Sequence, residues 1–390
     1  MLDLNDYGIK MWDSEKIASF RRTLLAWYDQ EKRDLPWRRT KNPYHIWVSE
    51  IMLQQTQVVT VIPYYERFLD WFPTIDQLAQ APEEKLLKAW EGLGYYSRVR
   101  NMQKAAQQII ADFAGKFPSS YDDIASLKGI GPYTAGAICS IAFDLPEPAV
   151  DGNVMRVIAR LFEVNYDIGE PKNRKIFQAI MEELIDPDRP GDFNQALMDL
   201  GSDIESAKNP RPEESPIRFF SAAYLHGTMD KYPIKEPKKK PRPVQIQAFV
   251  IRNEKGEFLL EKNTADRLLA GFWSFPITET DFIGQQLDLF DEGTPQIKET
   301  VSQKALFKQD YLLEVTWSEQ SFEKVSHTFS HQKWTIQMTE GFVKKAALPN
   351  SHELCWVAAA DFDNYPMAAP QKKMLAQYLK TRKEADILPL

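Results

Sequence analysis

The spacing of apolar positions changes once along the chain. From about residue 14 to 230 they recur three and four apart, as in IASFRRTLLAWY, EKLLKAWEGLGYY and RKIFQAIMEELI, which lines one face of a helix. Turn residues punctuate these runs at Asn42-Pro43, Phe72-Pro73, Lys116-Phe117-Pro118, Gly129 to Pro132 and Asp186 to Gly191. Residues 235–243, KEPKKKPRP, then offer little to a core and read as a stiff linker. Beyond it, QIQAFVIRNEKGEFLLEKN reads as a hairpin turning at residues 253–256, VSHTFSHQKWTIQMTEGF as another strand region, and QKKMLAQYLKTR as a closing helix. The pattern predicts an all-helical domain over residues 1–230, a Lys/Pro linker over 231–244 and a smaller α+β domain over 245–390, with no internal repeat.

One run departs from the amphipathic rule. IWVSEIMLQQTQVV, residues 46–59, is apolar around a single acid, Glu50. A surface helix would scatter Lys and Glu here, and a plain core helix would carry no acid. Desolvation should push the Glu50 pKa up, leaving it a proton to give. Asp151, in EPAVDGNVMRVIARLF, stands before a helical run and reads as its N-cap. A carboxylate there is expected to stay ionised, held by the helix dipole and by capping N–H groups. One protonated and one charged acid is the pair that glycoside cleavage demands: the first protonates the leaving group, the second faces the oxocarbenium centre.

LKGIGPYTAGAICSIAF sets Gly129 and Gly131 around one apolar residue between helical segments. Such a hairpin can aim successive backbone N–H groups at a nucleic-acid phosphate. An ordinary tight turn between packed helices has the same spelling.

Composition narrows the setting. A chain of 390 residues exceeds one core, and its 43% hydrophobic and 12% aromatic content builds cores without staples. Cys139 and Cys355 are its two cysteines, so a disulfide framework is not expected and a reducing, cytoplasmic compartment fits. The acidic start, MLDLNDYGIKMWDSEK, has no apolar core and does not read as a signal peptide. No run approaches the roughly 18 apolar residues of a membrane span. The net charge of −7 argues against a coat of basic residues, without excluding nucleic acid, since backbone N–H groups also hold phosphates.

Taken together, RDLPWRR, WVSEIMLQQTQV, WEGLGYYSRVRNM, LKGIGPYTAGA, VDGNVMRV and FSH resemble the MutY-type adenine DNA glycosylases of the helix-hairpin-helix superfamily, over nearly the whole chain. The resemblance implies a helical glycosylase domain followed by a NUDIX-like domain. It implies excision of adenine mispaired with 8-oxoguanine, and more weakly with guanine, in duplex DNA, after the base is flipped out at a cost of about a few kcal/mol. In that family the position of Glu50 protonates adenine N7, and that of Asp151 stabilises the sugar cation or bonds to it transiently before water attacks. Tyr133 and Asn153 match assisting positions. Trp37, Arg38 and Gln195 match the adenine pocket, and Gly129 and Gly131 the DNA-binding hairpin. Gln55 and Tyr95 match residues that wedge into the duplex; for Tyr95 the alternative is core packing. Phe329, Ser330 and His331 match the loop that contacts 8-oxoguanine, whose N7–H and O8 a hydroxyl can pair with. Without the family, the same tripeptide reads as a solvated strand edge.

Three departures shape the expectation. Tyr133 stands where the lyase branch carries an attacking Lys; a phenol cannot form an imine, so no strand scission is expected, and Lys128 precedes the glycines. GFWSFP looks like the NUDIX-related domain, but ITETDFIGQQLDLF follows in place of an Arg-Glu…Glu-Glu helix, so hydrolase activity should be lost. The family's C-x6-C-x2-C-x5-C places hold Glu205, Pro212, Ser215 and Ser221, so the iron–sulfur cluster is expected to be absent, with no other cofactor or metal. IRFFSAAYLHGTM should fill its place, with Arg211 and Arg218 as candidates for phosphate contacts. The expected partner is duplex DNA, with no membrane, bound by a monomer at the nucleoid. Two rivals are an oxidised-pyrimidine glycosylase/lyase, disfavoured by Tyr133 and the C-terminal domain, and a silent lesion-binding protein, disfavoured by intact Glu50 and Asp151.

Overall fold

The computed structural model describes residues 2–237, 240–265, 267–280, 303–344, 348 and 352–387. It divides into two compact units: Met1–Ala81 with Ser97–Lys238, and Pro82–Tyr96 with Lys239–Leu390.

The first unit is helical: α1 Ser14–Glu31, α2 Pro43–Leu53, α3 Val58–Trp71 and α4 Ile75–Ala79, then, beyond α5 Glu83–Ala89 of the second unit, α6 Ser97–Phe113 and α7 Tyr121–Ser126. It continues through α8 Pro132–Phe143, α9 Gly152–Phe162, α10 Arg174–Leu184, α11 Pro190–Ser202 and α12 Ala222–Leu225. The starts are written in the sequence. Asp13, Asn42, Thr74, Ser120 and Asp151 each accept a backbone N–H in the first turn of α1, α2, α4, α7 and α9. Pro132 and Pro190 open α8 and α11, where a missing N–H costs nothing.

Two helices are buried on every face. Seven successive residues of α2, Ile46 to Met52, are out of solvent, and so are Thr134 to Ser140 of α8. α2 packs on α8, α8 on α11, and α11 on both α9 and α1, around a core that includes Phe20, Leu24, Val157, Phe177, Phe193 and Leu197. Two glycines of α11 permit these approaches: a Cβ at Gly191 would stand 2.6 Å from the Ser140 carbonyl oxygen of α8, and one at Gly201 2.8 Å from the Asn153 carbonyl oxygen at the start of α9. Among the described residues no helix is long and apolar enough to cross a membrane.

The second unit is built on a sheet of eight strands among the described residues. β1 Arg242–Asn253 runs parallel to β7 Gln332–Val343, in register from Arg242↔Gln332 to Asn253↔Val343. β4 Ile277–Thr280 pairs with β1, and β5 Thr316–Trp317 and β6 Val325–Thr328 pair with β7. β2 Phe258–Lys262 holds β3 Trp273–Ser274 and β8 Leu354–Val357. Alternation along β1 sends Val244, Ile246, Ala248 and Val250 to a core shared with α14 Ala369–Ile387, and Phe249 and Ile251 to one shared with α13 Gln303–Tyr311.

The hairpin expected around residues 253–256 is present: β1 and β2 pair antiparallel across a turn where the Gly256 N–H donates to the Asn253 carbonyl and the Asn253 N–H to the Glu257 carbonyl. The pairing is short, with Arg252↔Phe258 in register; β4 takes residues 245–248 of β1, and β7 pairs with β1 along its whole length. The 235–243 stretch is also not linker throughout. Arg242 and Pro243 are the first residues of β1, an end position where a strand tolerates proline. Lys238, Lys239 and residues 281–290 of ITETDFIGQQLDLF lie outside the described residues.

The EKLLKAWEGLGYY segment clusters with the sheet. Glu91 accepts the Met367 N–H at 3.1 Å and pairs with Lys88 at 3.1 Å and with Lys372. Lys88 also donates to the Tyr365 carbonyl, Lys262 pairs with Glu84 at 3.0 Å, and the Tyr96 ring stands 4.2 Å from that of Phe272.

Candidate active site

A cavity of about 1010 Å³ in the helical unit is lined by α2, by the N-termini of α8 and α9, and by α11. Glu50, Tyr133, Asp151, Asn153, Trp37, Arg38, Gln195, Gln55 and Gly131 all line it, so residues far apart in sequence share one wall.

Glu50 is 5% exposed, midway along the all-buried α2. Its Oε2 accepts the Tyr133 hydroxyl at 2.6 Å. Burial pushes its pKa up to about 7, with the Asp151 charge adding to the rise and the Tyr133 bond and Arg38 opposing it. Tyr133 itself stays protonated, its pKa driven well above the usual phenol value first by burial and then by the Glu50 charge. The Met198 sulfur lies 3.7 Å from the same hydroxyl.

Asp151 caps α9 as its sequence foretold. Oδ1 accepts the N–H of Asn153 at 2.8 Å and of Val154 at 2.7 Å, and Oδ2 accepts the Asn153 side-chain amide at 2.8 Å. The cap is not the only influence on this acid. Burial raises the Asp151 pKa, and the three donors and the Arg156 charge oppose that rise without cancelling it. Asn153 is itself oriented: its Oδ1 accepts from Arg156 Nη2 at 2.7 Å.

At the other wall Trp37 is buried, edge-on to Tyr65 with ring centroids 5.4 Å apart. Arg38 Nε donates to Gln195 Oε1 at 3.0 Å. Its Nη1 and Nη2 bond Asp199 at 2.7 and 3.0 Å. Asp199 was not singled out in the sequence, although its place four residues beyond Gln195 puts both on one face of α11.

Of the hairpin glycines, Gly129 is required by conformation: its φ is +82°, and a Cβ there would meet Asn101 Cβ at 2.7 Å. Gly131 plays a different part. It is extended, with φ −99°, and has nothing within 4 Å, so what its bare backbone provides is open access at the N-terminus of α8. Lys128 lines a separate cavity of about 130 Å³, and no lysine is among the described residues lining the large one. Gln55 is exposed with φ +58°. Tyr95, in the second unit, has φ +46° and is 47% exposed, so it is not a core residue. Non-glycine residues in that region mark an imposed conformation.

Phe329, Ser330 and His331 form the turn between β6 and β7. Phe329 packs edge-on against Trp334 and His327, while Ser330 and His331 are exposed, with Ser330 Oγ 3.4 Å from His331 Nδ1.

The four places where the family's cluster ligands would stand do not suit one. Glu205, Ser215 and Ser221 are buried and bonded to protein: Glu205 Oε1 accepts the Ser215 hydroxyl at 3.0 Å, Glu205 Oε2 pairs with Arg160 at 3.3 Å, and Ser221 donates to the Arg160 carbonyl. Ile217 is fully buried and Phe220 packs on Trp12 and Phe20, whereas Phe219 is 65% exposed. Arg211 is a poor phosphate candidate, being paired with Asp203 and Glu214, and the Arg218 guanidinium lies over the Phe219 ring.

A helical core that buries one proton-bearing acid beside a capped aspartate, in a cavity behind a glycine hairpin, defines the base-excision class of DNA glycosylases. Residues 48–187 match the HhH-GPD superfamily base excision DNA repair proteins, and residues 247–377 match the NUDIX domain. The chain is 33% identical over 427 residues to the adenine DNA glycosylase of Rattus norvegicus, covering 95% of this chain and 80% of that protein. It is 32% identical to the Homo sapiens adenine DNA glycosylase, over 94% of this chain and 75% of that one, and 40% identical to the one from Buchnera aphidicola subsp. Baizongia pistaciae (strain Bp), over 68% and 74%. Among solved structures it is similar to a thermostable thymine-DNA glycosylase, at 28% identity and a TM-score of 0.49, covering 54% of this chain and 98% of that one. The chain belongs to the adenine DNA glycosylases.

Proposed function

We propose that this enzyme excises adenine opposite 8-oxoguanine in duplex DNA, and more weakly opposite guanine, without cutting the strand. The observation that carries the reading is the buried Glu50 carboxyl, with its pKa near 7 and its bond from Tyr133, in one cavity with Asp151. The flipped adenine enters this cavity between Trp37, Arg38 and Gln195. Glu50 gives its proton to N7, which makes the base a neutral leaving group as the C1′–N9 bond breaks. Asp151, held by its three N–H donors, faces the cationic sugar until water attacks C1′. With no lysine among the described residues of the cavity wall, no amine is placed to form an imine, so the product is an abasic site.

Recognition of the damage falls to the other strand. The exposed Ser330 and His331 on a turn anchored by Phe329 suit contacts to the oxidised base, and Gln55 and Tyr95 suit wedging. The Gly129–Gly131 hairpin holds a phosphate. The bonded Glu205–Ser215–Arg160 group supports a chain that works without an iron–sulfur cluster. A monomer acting on the genome in a reducing compartment completes the reading.

Single-turnover assays on duplexes carrying adenine opposite 8-oxoguanine, guanine or thymine, and an oxidised pyrimidine, each scored before and after alkali, test it. Strand breaks should appear only after alkali, fastest with 8-oxoguanine and more slowly with guanine. Breaks before alkali would overturn the monofunctional assignment, and equal rates opposite guanine and 8-oxoguanine would overturn the lesion assignment.

A further inference from the structure

Asp199 is 5% exposed on α11, one turn beyond Gln195, and both line the cavity. Its two oxygens grip Arg38 as a fork, Oδ2 with Nη1 at 2.7 Å and Oδ1 with Nη2 at 3.0 Å, and Arg33 joins on Oδ1. Arg38 Nη1 also donates to the Arg33 carbonyl at 3.3 Å, and Nε donates to Gln195 Oε1 at 3.0 Å. A guanidinium has five N–H donors in a fixed plane, so four are engaged, while the Tyr28 ring covers its face at 5.5 Å. Arg38 cannot turn without breaking the fork.

That immobility decides the state of Gln195. Nε–H can only donate, so the amide must show it the oxygen. The amide nitrogen then donates to the Gly191 carbonyl at 3.2 Å and keeps one N–H. An amide offering one acceptor beside one donor complements adenine, with its exocyclic amino donor next to a ring-nitrogen acceptor. Guanine presents a carbonyl and a ring N–H at the matching edge and would need the amide reversed. We infer that Asp199 is a positioning residue that, through Arg38, fixes the Gln195 amide in the orientation that selects the adenine amino group. This rests on the reading of the cavity as the adenine pocket.

The test compares single-turnover excision of adenine and of purine, the same base without its amino group, opposite 8-oxoguanine. Wild type, Asp199→Asn and Gln195→Leu are assayed, with thermal melts confirming folding. Asp199→Asn and Gln195→Leu should both narrow the adenine-to-purine rate ratio, each by about tenfold, the scale of losing one good bidentate base contact. A purely structural Asp199 would slow both bases alike and leave the ratio at its wild-type value, which overturns the inference. If Gln195→Leu also leaves the ratio unchanged, the pocket reading itself has failed. Should Asp199→Asn not fold, Arg38→Lys carries the test. It keeps the charge against Asp199 but cannot serve the fork and Gln195 together. A narrowed ratio supports the relay, and an unchanged one overturns it.

Discussion

Glu50 is more comfortable in this protein as an acid than as an anion, and the preference acts on folding as well as chemistry. In the unfolded chain it titrates near 4.5 and in the native cavity at about 7. Below pH 4.5 both states hold the proton and nothing is lost. As pH rises from 4.5 to 7 only the unfolded chain releases it, so stability falls; above 7 the deficit is complete, at about 3 kcal/mol. Glu50→Gln should therefore bind duplex DNA and excise nothing, while melting higher than wild type at pH 8 and level with it near pH 4. Melts at the two pH values beside a single-turnover assay check this; equal melting at pH 8, or excision near the wild-type rate, would refute the buried-acid assignment. Glu50 was legible because one acid in an apolar run has few ordinary uses. Asp199 carries a like signal, one acid in the run ALMDLG, but its partner Arg38 lies 161 residues away in sequence, so the fork they form is visible only in the fold.

Among the elements, the helices could be read and the distant strand partners could not. Period and caps are local, and Asp13, Asn42 and Asp151 begin α1, α2 and α9 as their types suggest. Strand pairing is mostly not local: the β1–β2 hairpin could be read from its turn, but the long partner of β1 is β7, with Arg242 opposite Gln332, and nothing near β1 in sequence announces it. The 205–221 segment shows the same limit in part: the apolar filling read from IRFFSAAYLHGTM is there at Ile217 and Phe220, but missing thiols do not say that charged groups fill the rest. There the filler is ionic. Glu205 pairs with Arg160 and accepts from Ser215, and its backbone carbonyl accepts from Arg156 at 2.8 Å. Removing one side of a buried ion pair leaves the other charge uncompensated, so Glu205→Ala should destabilise the helical unit by about 3–5 kcal/mol. Urea unfolding measures it, and a loss below about 1 kcal/mol would mean that the apolar contacts of Ile217 and Phe220 hold the segment unaided.

For the whole molecule, the chain passes between the two units three times, at residues 81/82, 96/97 and 238/239. The sequence suggested a single passage, in the Lys/Pro stretch, since the helical period of EKLLKAWEGLGYY says nothing of which neighbours it meets. A protease cut at residues 235–241 should therefore leave two fragments that stay together on gel filtration, held by the Glu91 bonds to Met367 and Lys372 and by the contact of Tyr96 with Phe272. Separation of the fragments in dilute buffer would contradict this. Chimeras inherit the consequence. Grafting a foreign C-terminal half at the lysine-rich junction would strand Glu91 beside a surface it never matched, so a working transplant has to carry residues 82–96 as part of its cargo.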